Sequence, residues 1–347
     1  MEGGQPTRAQ QLDFDPDALE SFLRQRFGQG TMSLERISGG QSNPAYFVDF
    51  GGRRMVLRKK PAGPILPGAH AIDREFRVLQ ALEPTDVPVP SPILFHHQDE
   101  PLGTPFYLME RLDGRVFHDC SLPGLSREER RGVYLGMAEA LAKLHAVRPD
   151  EIGLGDYGKP GNYFERQIGR WTKQLRASPS ERINALEIVA DWLPRNMPAD
   201  DGRVSIAHGD FRLGNLLFHA DRPEVIGILD WELSTLGHPL ADLGFCSMTW
   251  HSSPEEYGGI LGLDLEALGI PTQREFLDHY FAHAVSTAPL QRFHLVFSLF
   301  RFAVIFVGIA DRARAGNAAG ADAAEVAPLA GRFAARAVEI IEGARPW

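Results

Sequence analysis

The sequence predicts an α+β protein in two parts. A small antiparallel sheet with one main helix occupies residues 1–112, and a larger, mostly helical part occupies 113–347. Three observations carry that expectation. Short alternating segments separated by Gly-Gly and Pro/Gly turns dominate the first part. From Ser126 onward, apolar residues recur at helical spacing. Short apolar runs at 204–208, 215–219 and 224–230 interrupt those helices and hold polar residues at their ends.

The first helix is expected at 15–27, with Asp15 as N-cap and Pro16 as first helical residue. Residues 33–50 alternate around a Gly-Gly pair flanked by Gln, Ser and Asn, and 51–60 follow a second Gly-Gly turn. That pattern reads as paired hairpin strands. A Pro/Gly loop covers 61–70, after which Ile72, Phe76, Leu79 and Leu82 mark one face of a helix. PILFHHQ and PFYLMERL supply two more strands, and the connection between the parts is expected near 111–114. In the second part, Ser126 and Glu129 have capping-box spacing at the head of a helix. Further helices are expected near 162–177, 180–193, 240–250, 272–286, 290–311 and 322–343, with an Ala/Gly-rich link before the last.

Composition narrows the function classes. An apolar share of 44% and a charged share of 23% describe a soluble globular chain. The net charge of −9 argues against a general nucleic-acid binder, which needs a basic face. Two cysteines, Cys120 and Cys246, without a CxxC pair suit a reducing cytoplasm. The N-terminal residues contain no apolar core of the signal-peptide kind. Residues 294–310 are the most apolar segment, but Arg301 sits at their centre. A mid-membrane Arg is costly, so a buried helix is expected and no membrane partner.

The chemistry concentrates in HGDFRLGNLLF, His208 to Phe218, and in VIGILDWE, which carries Asp230. Asp210 and Asn215 bracket a loop between two short strands, and Asp230 ends a third. If those strands are neighbours, three oxygen-bearing side chains converge. Such hard ligands suit Mg²⁺, which keeps several waters and takes one or two carboxylates plus phosphate oxygens. The soft ligands that zinc favours are missing from the cluster.

HGDFRLGNLLF followed by ILDWE resembles the phosphotransferase family that includes aminoglycoside kinases, choline kinases and related small-molecule kinases, distant relatives of the protein kinases. The protein-kinase pattern H-R-D-x-x-x-x-N reads here as His208-Gly209-Asp210 with Asn215 at the same step, and D-F-G reads as Asp230-Trp231-Glu232. The resemblance covers about 30–250 and is weaker beyond. It implies a two-lobe, protein-kinase-like fold, with ATP and Mg²⁺ as cofactors and a magnesium-chelated triphosphate between the lobes. Asp210 would orient or deprotonate the attacking hydroxyl, and Asn215 and Asp230 would hold the metal. His208 would be a structural support, and Asp242 in PLADLGF would brace the catalytic loop. Glu232 would either reach a second metal or the substrate, or simply face solvent.

The resemblance extends to the first part. Arg58 in MVLRKKP stands where the family has its strand cation, and Glu75, seventeen residues later, stands where the pairing Glu belongs. An Arg departs from the protein-kinase Lys, and Lys59 and Lys60 are the alternatives. SGGQSN replaces the G-x-G-x-x-G loop, with Ser42 offering an amide and a hydroxyl to a phosphate. In YLMERLDG, backbone groups of Glu110 and Leu112 would face the adenine edge, with Met109 behind them.

RLGNLLF, LDWELSTLGHPLADLG, VLRKKPAG and ERLDGRVF are similar to a branch that includes kinase-like domains fused to acyl-CoA dehydrogenases. That branch implies an ATP-dependent small-molecule kinase with a hydroxyacyl acceptor. An aminoglycoside is the alternative acceptor, and its site would need several carboxylates. The residues from 250 onward offer Trp250, His251, Tyr257, Phe276, Tyr280, Phe297, Phe300 and Arg301 instead, either to a pocket or to the core. Two other classes remain. One is a catalytically inactive nucleotide-binding protein of the same fold, for which Arg58 argues and against which the intact Asp210, Asn215 and Asp230 argue. The other is a metal-dependent hydrolase using His208, Asp210, Asp230 and His238, which leaves the first part unexplained. A serine hydrolase lacks its G-x-S-x-G.

Overall fold

A computed structural model describes residues 12–37, 43–61, 71–159, 161–285, 288–314 and 327–344. The chain divides into two compact units, Met1–Glu83 with Pro90–Leu112, and Pro84–Val89 with Asp113–Trp347. The short segment 84–89 belongs to the second unit, where Pro88 O accepts a hydrogen bond from the Ile228 amide at 2.8 Å.

In the first unit, α1 (Pro16–Phe27) starts where its cap dictates. The Asp15 carboxylate accepts from the Asp17 amide and Pro16 opens the helix. Five strands follow: β1 (Met32–Arg36), β2 (Ala45–Phe50), β3 (Arg53–Lys59), β4 (Pro92–His96) and β5 (Phe106–Glu110), with α2 (Ile72–Leu82) between β3 and β4. They form an antiparallel sheet in the order β1-β2-β3-β5-β4. Side chains alternate between its faces. Met55 and Leu57 of β3 and Phe106 and Leu108 of β5 join Leu19 and Leu23 of α1 in one apolar cluster. On the other face, Phe76 of α2 packs on Phe95 and Tyr107 at ring separations of 5.4 and 5.7 Å. Each such buried side chain contributes about 2 kcal/mol.

The second unit begins with α3 (Arg127–Ala146), headed by the reciprocal Ser126–Glu129 capping box. Then come α4 (Tyr163–Ala177), α5 (Asn184–Arg195), β6 (Ser205–Ala207), β7 (Leu216–Phe218), β8 (Val225–Ile228), β9 (Thr235–Gly237) and α6 (Pro239–Ser247). The remaining helices are α7 (Leu265–Leu268), α8 (Gln273–His283), α9 (Arg292–Arg314) and α10 (Leu329–Ile341). By length and composition α9 could cross a membrane, yet 83% of its apolar window is buried inside the protein. It is the axis of this unit, in contact with α4, α5, α6 and α10. Phe302 and Phe306 of α9 close on Phe333 of α10 at 5.1 and 5.8 Å. The Ala/Gly-rich link before α10 lies outside the described residues.

The strands of this unit pair differently from a simple row. β6 pairs with β9, a strand not foreseen from the sequence, and β7 pairs with β8. At three residues, β9 is too short to show a period.

His294 of α9 is 2% exposed. Burial, with neighbouring His238 acting in the same direction, pushes its imidazole down to about 4. An unfolded His titrates near 6.5, so the unfolded chain takes up the proton first as the pH falls. This contribution to stability is complete above about pH 6.5 and is lost progressively toward pH 4, by roughly 3 kcal/mol. Denaturation midpoints are expected to drop between about pH 7 and pH 5, and His294→Gln to flatten that slope. An unchanged slope in the variant would assign the effect elsewhere.

Candidate active site

The loop after β6 is fixed by backbone bonds to the end of β8. Leu229 is the hinge of that arrangement. Its amide donates to Asn215 O at 2.9 Å, and its carbonyl accepts from His208 Nε2 at 2.9 Å. His208 Nδ1 accepts from the Asp210 amide at 3.2 Å, so the ring is the neutral tautomer with its proton on Nε2. Asp230, next to Leu229, is thereby carried to the loop. It adopts left-handed backbone (φ 65°), a conformation that Asp tolerates better than most side chains. Trp231 then turns back, its indole N–H donating to Ile228 O at 2.9 Å and its ring meeting His208 at 4.8 Å. Gly209 turns at φ 83°, and a Cβ there would lie 2.8 Å from Leu233 O.

A buried brace stands behind the loop. Asp242, 1% exposed on α6, accepts from the His208 amide at 2.7 Å and the Gly209 amide at 2.9 Å. His145 Nε2 lies 3.4 Å from the same carboxylate, and its Nδ1 is 2.8 Å from the Tyr280 hydroxyl. Burial alone would raise the Asp242 pKa. The bonds and charge from His145, with His208 and Gly209, outweigh it and hold the carboxyl below its usual value. On the other side, buried Arg301 of α9 donates to Gly209 O at 2.6 Å, and its guanidinium lies over the rings of Trp171 and Phe245. Phe211 O accepts from Cys246 Sγ at 3.2 Å.

The polar side chains meet inside this frame. Asn215 Nδ2 donates to both Asp210 Oδ2 and Asp210 O, each at 2.8 Å. Arg212 Nε reaches the same Oδ2 at 3.3 Å. Burial works against the Arg212 charge, but the Asp210 carboxylate favours it, and the guanidinium is held charged more firmly than usual. With its nitrogen committed to Asp210, Asn215 would turn Oδ1 toward a cation, and the Asp230 carboxylate, near enough to Arg212 to favour its charge, would add a second hard donor. Such oxygen donors would fit Mg²⁺. The imidazole alternative loses its ligands: both nitrogens of His208 bond the backbone, and those of His238 bond Asp201 and the Leu240 amide.

In the first unit, the Arg58 guanidinium lies 3.0 Å from Glu75 Oε2. Glu75, 1% exposed, also accepts from Asn43 Nδ2 at 2.5 Å and the Tyr107 hydroxyl at 3.0 Å. Lys59, its neighbour on β3, faces the opposite side of the sheet. Fully buried, its ammonium meets Asp13 Oδ2 at 2.6 Å and lies over the Phe14 ring. The alternation of the strand therefore gives the helix Glu an Arg and removes Lys59 from that place. The Glu110 amide donates to Ser91 O at 2.8 Å, and Leu112 follows two residues on. Ser42 lies outside the described residues.

A cavity of about 70 Å³ opens beside the Asp210–Asn215 loop, lined by Arg212, His118, Cys120, Phe245, Tyr257 and Phe302. A larger one of about 920 Å³ has His238, His294 and Arg203 in its wall, and neither cavity takes Asp210, Asn215 or Asp230 as lining. Of the aromatic residues expected beyond 250, Trp250, Phe276, Tyr280, Phe297 and Phe300 are core, and Tyr257 lines the small cavity. Arg212 and His145 had no assigned role from the sequence, and Tyr280 and Arg301 were expected only in a pocket or the core. Arg212 lies within the motif itself and Arg301 stands out as a lone charge in an apolar run, whereas nothing local marks His145.

A five-stranded sheet bearing an Arg–Glu pair, followed by a helical unit whose Asp–Asn loop is braced from α6, is the fold of kinase-like phosphotransferases. The chain belongs to the phosphotransferase enzyme family, whose sequence pattern matches residues 33–279, and such enzymes transfer phosphate to hydroxyl groups. It is 41% identical over 320 residues to acyl-CoA dehydrogenase family member 10 of Mus musculus, covering 90% of this chain and 30% of that protein. The chain spans less than half the length of the curated relatives it matches. It is 43% identical to a protein of Ralstonia eutropha JMP134 classed as an aminoglycoside phosphotransferase, with a TM-score of 0.86 over 95% of this chain and 99% of that one. An aminoglycoside phosphotransferase solved with AMP-PNP and hygromycin B shares the fold, with a TM-score of 0.61 over 92% and 98% of the two chains at 16% identity.

Proposed function

We propose that this chain is an ATP-dependent kinase that transfers the γ-phosphate to the hydroxyl of a hydroxyacyl compound. The observation that carries the reading is the Asp210–Asn215 pair held against Leu229, and so beside Asp230, on backbone clamped by Asp242 and Arg301. Asp210 Oδ2 is held by Arg212 and Asn215, which leaves Oδ1 to accept the acceptor proton. The acceptor oxygen then bonds the γ-phosphorus as the bond to the β,γ-bridging oxygen breaks. Arg212 stands beside the carboxylate and would meet charge developing on the transferring group. Magnesium, when bound, would supply charge neutralisation on the phosphates, with Asn215 and Asp230 as its protein ligands. Arg58, set by Glu75, would bind phosphate oxygens, and the Glu110 carbonyl and the Leu112 backbone would meet adenine. Both cysteines are free thiols, which suits a cytoplasmic setting.

Two features favour the hydroxyacyl acceptor over an aminoglycoside. The relative in Mus musculus is named for acyl-CoA dehydrogenation. The wall of the small cavity carries Phe245, Tyr257 and Phe302, while its carboxylate, Glu256, is already paired with Arg336 at 2.9 Å. The deciding test is ADP release with a panel of hydroxyacyl-CoAs, free hydroxy acids, aminoglycosides and choline-like alcohols. Turnover with aminoglycosides alone would replace the hydroxyacyl reading. ATP binding without turnover on any acceptor would point to an inactive nucleotide-binding protein.

Arg58→Ala removes a charge-assisted contact of about 1.5–3 kcal/mol. The KM for ATP is expected to rise about tenfold or more, with a smaller change in kcat. An unchanged KM would take Arg58 out of the nucleotide site.

A further inference from the structure

On the outer side of the second unit, α8 presents two imidazoles one turn apart, His279 and His283, to Glu139 of α3. One ligand atom from each lies within 4.8 Å of the others. We propose that these three side chains form a zinc site that staples α8 to α3.

The orientation of the rings carries the argument beyond proximity. His283 Nδ1 lies 2.9 Å from His279 O, and a carbonyl can only accept, so Nδ1 holds the proton and Nε2 presents its lone pair. A ring tied through one nitrogen to a backbone carbonyl, with the other nitrogen bare, is the usual state of a metal-binding His. His279 Nε2 donates to Glu139 Oε1 at 2.8 Å. Metal binding would require the proton of the neutral ring to pass from Nε2 to Nδ1 by exchange with solvent, with Nε2 and the carboxylate oxygen becoming ligands. Ligand atoms around tetrahedral zinc are about 3.4 Å apart, so the bonded pair must open by about half an ångström. The rings of His279 and His283 are 4.5 Å apart between centroids. Two imidazoles and one carboxylate, with the fourth position left to water, form a recognised zinc donor set.

The site lies one residue from the brace behind the catalytic loop. Tyr280 follows His279, and its hydroxyl meets His145, which meets Asp242. Zinc would tie down the segment of α8 that holds that relay, apart from the Asn215 and Asp230 oxygens that suit magnesium. The proposal does not depend on the identity of the phosphate acceptor.

The test uses the full chain stripped with EDTA and titrated with Zn²⁺. Zinc retained after gel filtration is measured, and melting curves are recorded with and without metal. Wild-type protein is expected to retain one zinc per chain and to gain about 4 °C in Tm at a Zn²⁺ concentration about 100-fold above its Kd. His283→Ala and Glu139→Gln alter half-exposed or exposed side chains, so their metal-free Tm should stay within about 1 °C of wild type. Both should lose the retained zinc and the shift. Slower amide exchange in α8 on adding Zn²⁺, in wild type but not in His283→Ala, gives a second reading. No retained zinc in wild type, or the same retention and shift in both variants, would overturn the proposal.

Discussion

Asp210→Ala is expected to lower phosphoryl transfer to the acceptor found by the screen by about 10³-fold, the usual range for losing a positioned general base. Mg·ATP affinity should change by less than about threefold. The two effects separate because Asn215 Nδ2 has two partners at Asp210. Truncation removes Oδ2, but the bond to Asp210 O at 2.8 Å remains and keeps the amide oriented. Single-turnover transfer and calorimetric nucleotide binding measure the two separately. Near-normal transfer would mean that another group receives the proton. Strongly weakened nucleotide binding with a parallel loss of transfer would instead make Asp210 part of the metal site.

Asp242→Asn is the second large effect. The native carboxylate offers one oxygen to each of two backbone amides, and His145 approaches it as well. Asn keeps one oxygen and sets an NH₂ group against a buried N–H, leaving that donor unpaired. Loss of about 3 kcal/mol of stability is expected, together with reduced transfer at temperatures where the variant is still folded. The pH dependence has a definite sign. Asp242 titrates below its unfolded value, so its contribution is present above about pH 4 and is lost as the pH falls through the folded value. That window lies below the one governed by His294, so the two variants flatten different parts of the stability profile. Equal stability of Asp242→Asn and wild type at neutral pH would remove the brace as an energetic feature.

Much of the fold was legible because its signals are local. Asp15–Pro16 opens a helix where it stands, and Ser126 with Glu129 does the same. The apolar run around Arg301 was legible as a buried helix from the presence of one charge. The strand beginning at Thr235 was not, since three residues carry no period. The aromatic residues beyond 250 gave no means of separating core from pocket. Trp250 and Tyr257 are similar in sequence terms, yet one is 8% exposed and the other 50%.

At the site, the sequence by itself determined which side chains to propose for the chemistry: Asp210, Asn215 and Asp230 stand at fixed steps along one short stretch. Tertiary structure decided what those atoms face. Arg58 and Lys59 are adjacent cations, and the choice between them followed from α1 covering one side of β3 and α2 the other. Arg301 supports Gly209 across 92 positions of chain, and His145 approaches Asp242 across 97. Caps and periodicity act within a turn or two, whereas these bonds exist only once the packed helices have brought distant segments together, and no local pattern encodes that meeting.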